Sequence, residues 1–440
     1  MALQRYLLFL LASVLTILSG CSIPVRDHDN SGHGDLATSL YESDLASQAT
    51  LNHVQILTRG DETFQSLHYR ISQAKQSVLF AAYIFQPDAT GLRMCELLKR
   101  KAREGVDVRL LLDAWGSIFF TREMKKDLME AGVRVTYFRP FEVFRPYRHL
   151  LRNHRRLIII DGEYALTGGF AVQDVWADLY EFQVQDLQVW VQGPLVLELK
   201  ELFILDWCRA NGGEDSICSA RNENLTMERI PPPVEALNPP LPGGEQEDCN
   251  PIRQGCTGLT SAMNTSDIDN PSANYNFYLR AIAKSQERIW MVTPYFIPDA
   301  RFLRSLKSAS QRGADVRLIM ASSESIQEFP VNYVRNPYIE ELLAMGARVY
   351  VFESGFLHSK ASLFDRNVSI IGTSNLDRRS FNYNHELDLI SFDSRTNHAL
   401  ARVFQRYMES SRELSLEELK NRSLRVRILE LFWWPLIPQL

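Results

Sequence analysis

Only one apolar stretch in this chain approaches membrane length, and it sits at the start, which excludes a polytopic membrane protein. A large charge of either sign is also missing. With 48 basic and 53 acidic residues the net charge is −5, so a uniformly basic nucleic-acid binder is excluded, although local basic patches are not. Cysteine is scarce, at six of 440 residues. The bulk of the chain is ordinary globular material. Its 45% hydrophobic, 23% charged and 10% aromatic residues rule out a disordered, collagenous or coiled-coil protein. The length suggests two or three domains with sizeable cores.

The apolar stretch, residues 6–18, follows a single positive charge at Arg5 and leads into Leu18-Ser19-Gly20-Cys21. A short hydrophobic region before small residues reads as a secretory signal peptide rather than a span. The cysteine after Leu-Ser-Gly resembles the lipobox of bacterial lipoproteins. That resemblance implies that Cys21 is lipidated, palmitate being one such acyl group, and becomes the mature N-terminus. Ser22, where an inner-membrane lipoprotein would carry Asp, implies the outer membrane and a periplasm-facing body. Residues 21–50 are polar and read as a flexible tether. Cys95 shares an apolar helical pattern with Leu92 and Leu98 and is expected in a core. Cys208, Cys218, Cys249 and Cys256 fall in or beside an irregular, proline-rich stretch with little room for periodic structure. An exported protein can keep disulfides; of three possible pairings the sequential one is expected.

The rest of the chain repeats itself. Residues 74–85 match 283–296, Gly105-Val106-Asp107-Val108-Arg109-Leu110 matches Gly313-Ala314-Asp315-Val316-Arg317-Leu318, and Ala131-Gly132-Val133-Arg134-Val135 matches Met345-Gly346-Ala347-Arg348-Val349. Matches in the same order imply an internal duplication of two domains. Within a copy, strand-length runs at 78–84, 108–113 and 133–138 alternate with helical patterns at 92–102 and 121–130, so each copy is expected to be an α/β layer of right-handed βαβ units. The expected organisation is a signal peptide (1–20), tether (21–50), first α/β domain (51–210), linker (211–270), second α/β domain (271–412) and a basic, aromatic tail (413–440).

The second copy contains His358-Ser359-Lys360 and, at fixed offsets, Asp365 and Gly372-Thr373-Ser374-Asn375. Two residues apart on a strand, His358 and Lys360 share a face. An imidazole, a cation and an amide donor converging on one point suit a phosphate ester. The cation and amide hold its oxygens while the imidazole attacks phosphorus or moves a proton. At the equivalent place the first copy has His154-Arg155-Arg156, Asp161 and Gly168-Gly169-Phe170-Ala171.

These paired motifs resemble the H-x-K-x-x-x-x-D motifs of the phospholipase D superfamily. The likeness to bacterial cardiolipin synthases runs from about Leu57 to the C-terminus. It implies two α/β/α domains packed about a pseudo-twofold axis with both motifs in one cleft, and a reaction needing no metal or other cofactor. One histidine forms a phosphohistidine, with His154 favoured; the other protonates the leaving alcohol. The resemblance places Asp186 and Glu386 as the acids that orient the imidazoles, Lys360, Arg156, Asn375 and Ser374 around the phosphate, and Asp161 and Asp365 as motif-closing residues that mainly organise structure. The first motif departs from the pattern. Arg156 stands where the family has Lys, and Ala171 stands where it has Asn. Arg keeps the charge but is longer and planar. Ala171 removes a donor, a loss that costs on the order of 100-fold in rate at such a site.

Two further features suit a phospholipid membrane and anionic phospholipid substrates, with phosphatidylglycerol first among them. Arg139, Arg145, Arg148, His149, Arg152, Arg155 and Arg156 crowd the approach to the first motif among Phe141, Phe144 and Tyr147. Arg422, Arg425 and Arg427 precede an apolar segment with Trp433-Trp434, which reads as an interfacial element. Nucleic acid is not the expected partner, and no oligomeric state follows from the pattern. Three functions remain: a phosphatidyltransferase, a phospholipase D-type hydrolase of lipid or nucleic acid, and a degenerate lipid-binding lipoprotein.

Overall fold

The computed structural model describes residues 49–141, 151–180, 183–221, 249–266, 273–323, 325 and 331–434, together with Leu36 and Leu40. The signal stretch, Cys21, Arg145, Arg148, His149, Phe144, Tyr147 and the proline runs between 231 and 242 lie outside the described residues.

The first half contributes β1 (Thr50–Leu57), β2 (Ser77–Ala82), β3 (Asp107–Asp113), β4 (Arg134–Phe138), β5 (Leu157–Ile160), β6 (Tyr164–Gly168), β7 (Val184–Gln185) and β8 (Gln188–Gln192). The second contributes β9 (Cys256–Thr265), β10 (Arg288–Thr293), β11 (Phe296–Ile297), β12 (Asp315–Ala321), β13 (Arg348–Phe352), β14 (Phe356–Leu357), β15 (Ala361–Phe364), β16 (Val368–Gly372), β17 (Leu376–Asp377) and β18 (Glu386–Ser391), followed by β19 (Ser411–Glu413). One 15-stranded sheet runs through both halves. The order β4-β3-β2-β5-β6-β8-β1 meets its counterpart β9-β18-β16-β15-β10-β12-β13, and β19 closes the edge. β1 and β9 pair antiparallel with Asn52 opposite Gly258. Equivalent strands paired antiparallel are what a twofold axis through a sheet produces, so the expected duplication is realised as a pseudo-dimer.

The local reasons recur in both copies. In each, three parallel strands (β2-β3-β4 and β10-β12-β13) are joined through helices packed on the sheet. Asp88 caps the helix Ala89–Arg103 and Asp299 caps the helix Ala300–Gln311, each accepting a backbone N–H of the first turn. Gly105 and Gly313 follow those helices with φ of 89° and 97°, a left-handed conformation that side chains resist. The first of these helices buries Met94, Cys95 and Leu98; Leu92, expected on that face, is 51% exposed. Burial pushes the Cys95 thiol up to about 12, as befits a core cysteine.

Three expectations about the margins need revision or are met. The stretch 211–270 is not free of regular structure. It contains a helix, Ser216–Arg221, and β9, a ten-residue strand at the centre of the sheet. β9 reads Cys-Thr-Gly-Leu-Thr-Ser-Ala-Met-Asn-Thr, without a branched apolar run. Crowding at the axis explains its small residues: a Cβ on Gly258 would lie 2.7 Å from the Asp393 carboxylate. The tether also begins to pack earlier than expected. Leu36 and Leu40 are buried in the core of the second half with Leu259, Met263 and Tyr275. The disulfides are sequential, Cys208–Cys218 and Cys249–Cys256. Among the described residues no helix is long and apolar enough to cross a membrane.

Candidate active site

The two motifs meet because each half lends backbone to the other. His154 N–H donates to the His385 carbonyl (2.9 Å), and His358 N–H donates to the Gln185 carbonyl (2.8 Å). β14, just before His358, pairs in parallel with β7, just before Asp186. The equivalent bridge in the other copy joins Asn153 to His385. Each histidine therefore lies against the acid of the opposite copy.

His358 Nδ1 is 2.7 Å from Asp186 Oδ2, and His154 Nδ1 is 2.9 Å from both oxygens of Glu386. Nδ1 is thus committed in both rings, which leaves Nε2 as the reactive nitrogen. The two carboxylates are supported differently. Glu386 accepts from Thr373 Oγ1 (2.6 Å) and Asn384 Nδ2 (3.2 Å). Asp186 accepts from Trp176 Nε1 (3.2 Å) and Leu187 N–H (2.8 Å). Gly169 occupies the place of Thr373 in the first copy. A Cβ there would sit 2.3 Å from Asp186 Oδ1, so only glycine leaves room for the carboxylate.

Cations surround the imidazoles. Lys360 Nζ lies 3.0 Å from His358 Nε2 and donates to the His358 carbonyl (2.6 Å). Arg156 Nη1 donates to the His154 carbonyl (2.8 Å), and its guanidinium stacks 5.2 Å over Tyr83. Tyr83 in turn meets the His154 ring edge-on at 4.7 Å, and Trp176 meets His358 at 5.2 Å. Arg156 Nε and Asn375 Oδ1 are buried without a hydrogen-bond partner. Such groups are costly unless something polar completes them, and a phosphate oxygen would accept from Arg156 Nε. Ala171 is buried at 2% exposure, an apolar wall where the second copy has Asn375.

Electrostatics divides the pair. Burial, then Lys360, depresses His358 to about 3, against the pull of Asp186. Burial, then Arg156, Lys360 and Arg379, drives His154 well below its ordinary range. Both imidazoles are thus held neutral at neutral pH. Burial pushes Glu386 up to about 7. Burial also opposes ionisation of Asp186, but His358 and Lys360 outweigh it and hold that carboxyl below its usual range. Lys360 falls to about 7, chiefly through burial, with Asp186 opposing and Arg156 adding to the fall. An anionic phosphodiester stabilises the protonated amine, so binding takes up a proton wherever Lys360 is neutral. Affinity for such a headgroup should therefore weaken as pH rises above about 7, by up to about tenfold per unit. Calorimetric titration in buffers of different ionisation enthalpy reads both the affinity and the proton uptake.

Asp161 and Asp365, the motif-closing residues expected mainly to organise structure, lie away from the imidazoles. Each lies at the far end of its strand in a left-handed conformation, φ 53° and 48°. Asp161 accepts the N–H groups of Lys75, Gln76 and Ser77, and Asp365 those of Gln286, Glu287 and Arg288. They brace the start of β2 and β10, seven residues and about 20 Å of extended chain from the histidines, so they are structural rather than catalytic. Ser374 is walled in. Its hydroxyl accepts from Asn274 Nδ2 (2.8 Å) and its N–H is bound by Asp388. Nor do Arg152 and Arg155 serve as headgroup cations. Arg152 is buried beside Asp113, and Arg155 is buried against Asp206 and the Thr265 carbonyl of β9. Conversely, Tyr83, Trp176 and Arg379 carry no site role in the sequence reading, and Thr373, read only as part of its motif, turns out to support Glu386. Tyr83 and Tyr295 recur in the duplicated segment, which was the available signal.

Two imidazole–carboxylate pairs crossed over a pseudo-twofold axis, with cations around them, define a site for phosphodiester chemistry. A family model described as cardiolipin synthase, PLD-like domain, matches residues 67–178 and 278–408. The chain is 33% identical over 383 residues to the major cardiolipin synthase ClsA of Bacillus subtilis (strain 168), covering 86% of this chain and 73% of that one. It is 31% identical to cardiolipin synthase 1 of Bacillus cereus, covering 86% and 70%. The fold is similar to that of phosphatidylserine synthase from Haemophilus influenzae Rd KW20, with a TM-score of 0.66 at 13% identity, covering 92% of this chain and all of that one. The chain belongs to the phospholipase D superfamily and, within it, to the cardiolipin synthase family.

Proposed function

We propose that this protein is a phosphatidyltransferase of the cardiolipin synthase type. It exchanges one phosphodiester for another between two phospholipids, with phosphatidylglycerol as donor. The observation that carries this reading is the pair of neutral imidazoles, each held by the acid of the opposite copy around the Lys360 and Arg156 cations. His154 Nε2 attacks phosphorus and the P–O bond to the headgroup glycerol breaks. His358, which takes up a proton at Nε2 when the anionic substrate binds, gives that proton to the leaving oxygen. The glycerol hydroxyl of a second lipid then returns a proton to His358 and attacks the phosphohistidine, freeing His154. No anhydride bond is spent, because one ester replaces another.

The assignment of roles follows the acids. His358 lies over the ionised Asp186, which favours its imidazolium once an anionic substrate offsets Lys360. His154 lies over Glu386, a weaker counter-charge with its pKa near 7, and faces three cations, so it stays unprotonated and nucleophilic. Lipidation at Cys21 would tether the body to a membrane, with the outer membrane favoured by Ser22. Fatty-acid labelling of a Cys21→Ala variant tests that part.

Purified protein given phosphatidylglycerol should yield cardiolipin and glycerol. Phosphatidic acid as the main product would make it a hydrolase, and no turnover with retained binding would make it a degenerate binder. The altered first motif gives a graded test. Arg156→Lys should be tolerated, and Arg156→Ala should be much slower, because the charge beside His154 would lack its cation. Adding Ala171→Asn to Arg156→Lys restores the donor that Asn375 provides in the second copy, and should raise initial transfer rates by roughly tenfold.

A further inference from the structure

We infer that the loop after β3 and the C-terminal helix form a two-point docking surface that seats the cleft on an anionic phospholipid bilayer. This rests on the proposed lipid chemistry only for the choice of partner. The helix Leu424–Trp433 is fastened by one side. Trp433 is buried, and Glu430 is fixed by Asn336 Nδ2 (2.8 Å) and Arg422 Nε (2.7 Å). At 100° per residue, Val426, Leu429, Glu430 and Trp433 occupy one arc. The opposite arc holds Leu424, Ile428, Leu431 and Phe432, which are 73%, 56%, 74% and 66% exposed. Four large apolar residues on one exposed arc are not what a solvated helix carries.

Arg425 and Arg427 flank that arc, and the one acid of the helix, Glu430, is turned inward. The exposed side is therefore apolar with a cationic border, which matches the apolar interior and anionic headgroups of a lipid interface. The helix is about 15 Å long, half of a bilayer core, so it can lie in the interface but not cross it.

The first half has an exposed apolar counterpart of its own. In the loop after β3, Ile118 is 60% and Phe119 48% exposed. That loop is tied to the site through Ser117 Oγ, which donates to the Tyr83 carbonyl (2.9 Å), and Tyr83 rests on His154. In the second copy the equivalent connection after β12 carries the helix Val331–Val334. Val331 and Val334 share an apolar cluster with Trp433 and with Leu357, the residue before His358. The pseudo-twofold axis puts the connections after β3 and β12 at equivalent ends of the sheet, the first tied to His154 through Tyr83 and the second packed against the C-terminal helix. With the loop after β3 and that helix in the headgroup layer, the donor and acceptor lipids enter the cleft without leaving the membrane.

Nitroxide labels at Leu431→Cys and Ile118→Cys test this in the full chain reconstituted into phosphatidylglycerol vesicles, with Tyr69→Cys, also exposed, as the reference. The native Cys95 is buried and does not compete. The expected result is loss of access to a water-soluble nickel chelate and gain of access to dissolved oxygen at 431 and 118 but not at 69. Labels at 431 and 118 as water-exposed as the one at 69 would overturn the inference. So would a shift from dimer to monomer in detergent on Leu431→Glu, which would make the surface a contact between copies. Ile118→Glu and Leu431→Glu should each slow turnover of vesicle lipid by roughly tenfold while sparing a monomeric short-chain phosphatidylglycerol. The label result does not depend on turnover, so a protein that docks but does not transfer would refute the proposed function and leave the docking surface standing.

Discussion

His358→Ala and His154→Ala should each lower phosphatidyl transfer by about 10,000-fold or more, the scale seen when one member of a nucleophile–base unit is removed. The losses should be alike in size and should not add in the double variant, because attack and proton transfer belong to one exchange. Neither change should unfold the protein, since the backbone bonds that join the halves at these positions come from main-chain N–H groups that alanine keeps. Initial rates together with melting curves check this. Trapping the covalent intermediate separates the roles: the phosphatidyl group should be found on His154, and a label on His358 would reverse the assignment.

The second large effect is expected at Asp186, which in sequence lies far from the histidine it serves. Asp186→Asn should cost about 1,000-fold to 10,000-fold. An amide in place of the ionised carboxylate no longer fixes the Nδ1–H tautomer of His358 or supports its imidazolium. Glu386→Gln should cost much less at acid pH, and the sign follows from its raised pKa. Below about 7 the native Glu386 is largely protonated, so a neutral glutamine resembles it; above about 7 the native group ionises and the gap between the two proteins should widen. Rate profiles of both variants across neutral pH measure this. A pH-independent gap for Glu386→Gln would mean that Glu386 is ionised throughout.

The duplication was legible because the same local requirements recur in each copy. An aspartate caps a helix, an apolar stripe follows, and a left-handed glycine ends the turn before a branched strand. β9 was not legible, because its residues answer to crowding at the axis and not to an alternating in-and-out pattern. The motif spacing placed Asp161 and Asp365 in the same group as the histidines. Spacing along a strand reports which residues travel together, but not which end of the strand faces the cleft. Arg155 shows the same blindness to partners. Adjacent to Arg156 in sequence, it points the other way and spends its charge on Asp206.

By itself, then, the sequence determined two α/β copies, the two histidines with Lys360, Arg156 and Ala171 at their set offsets, and the acids Asp186 and Glu386 through resemblance. All but the two acids follow from interactions within a few residues or from a pattern repeated along the chain. Only the tertiary structure decided which acid serves which histidine. The crossing of Asp186 to His358 and of Glu386 to His154 depends on how the two halves pair about β1 and β9. That pairing is a relation between residues 172 and 232 positions apart, which no local propensity encodes. The same packing set the pKa differences between the two acids, because burial and the nearness of Lys360 and Arg156 are properties of the assembled cleft.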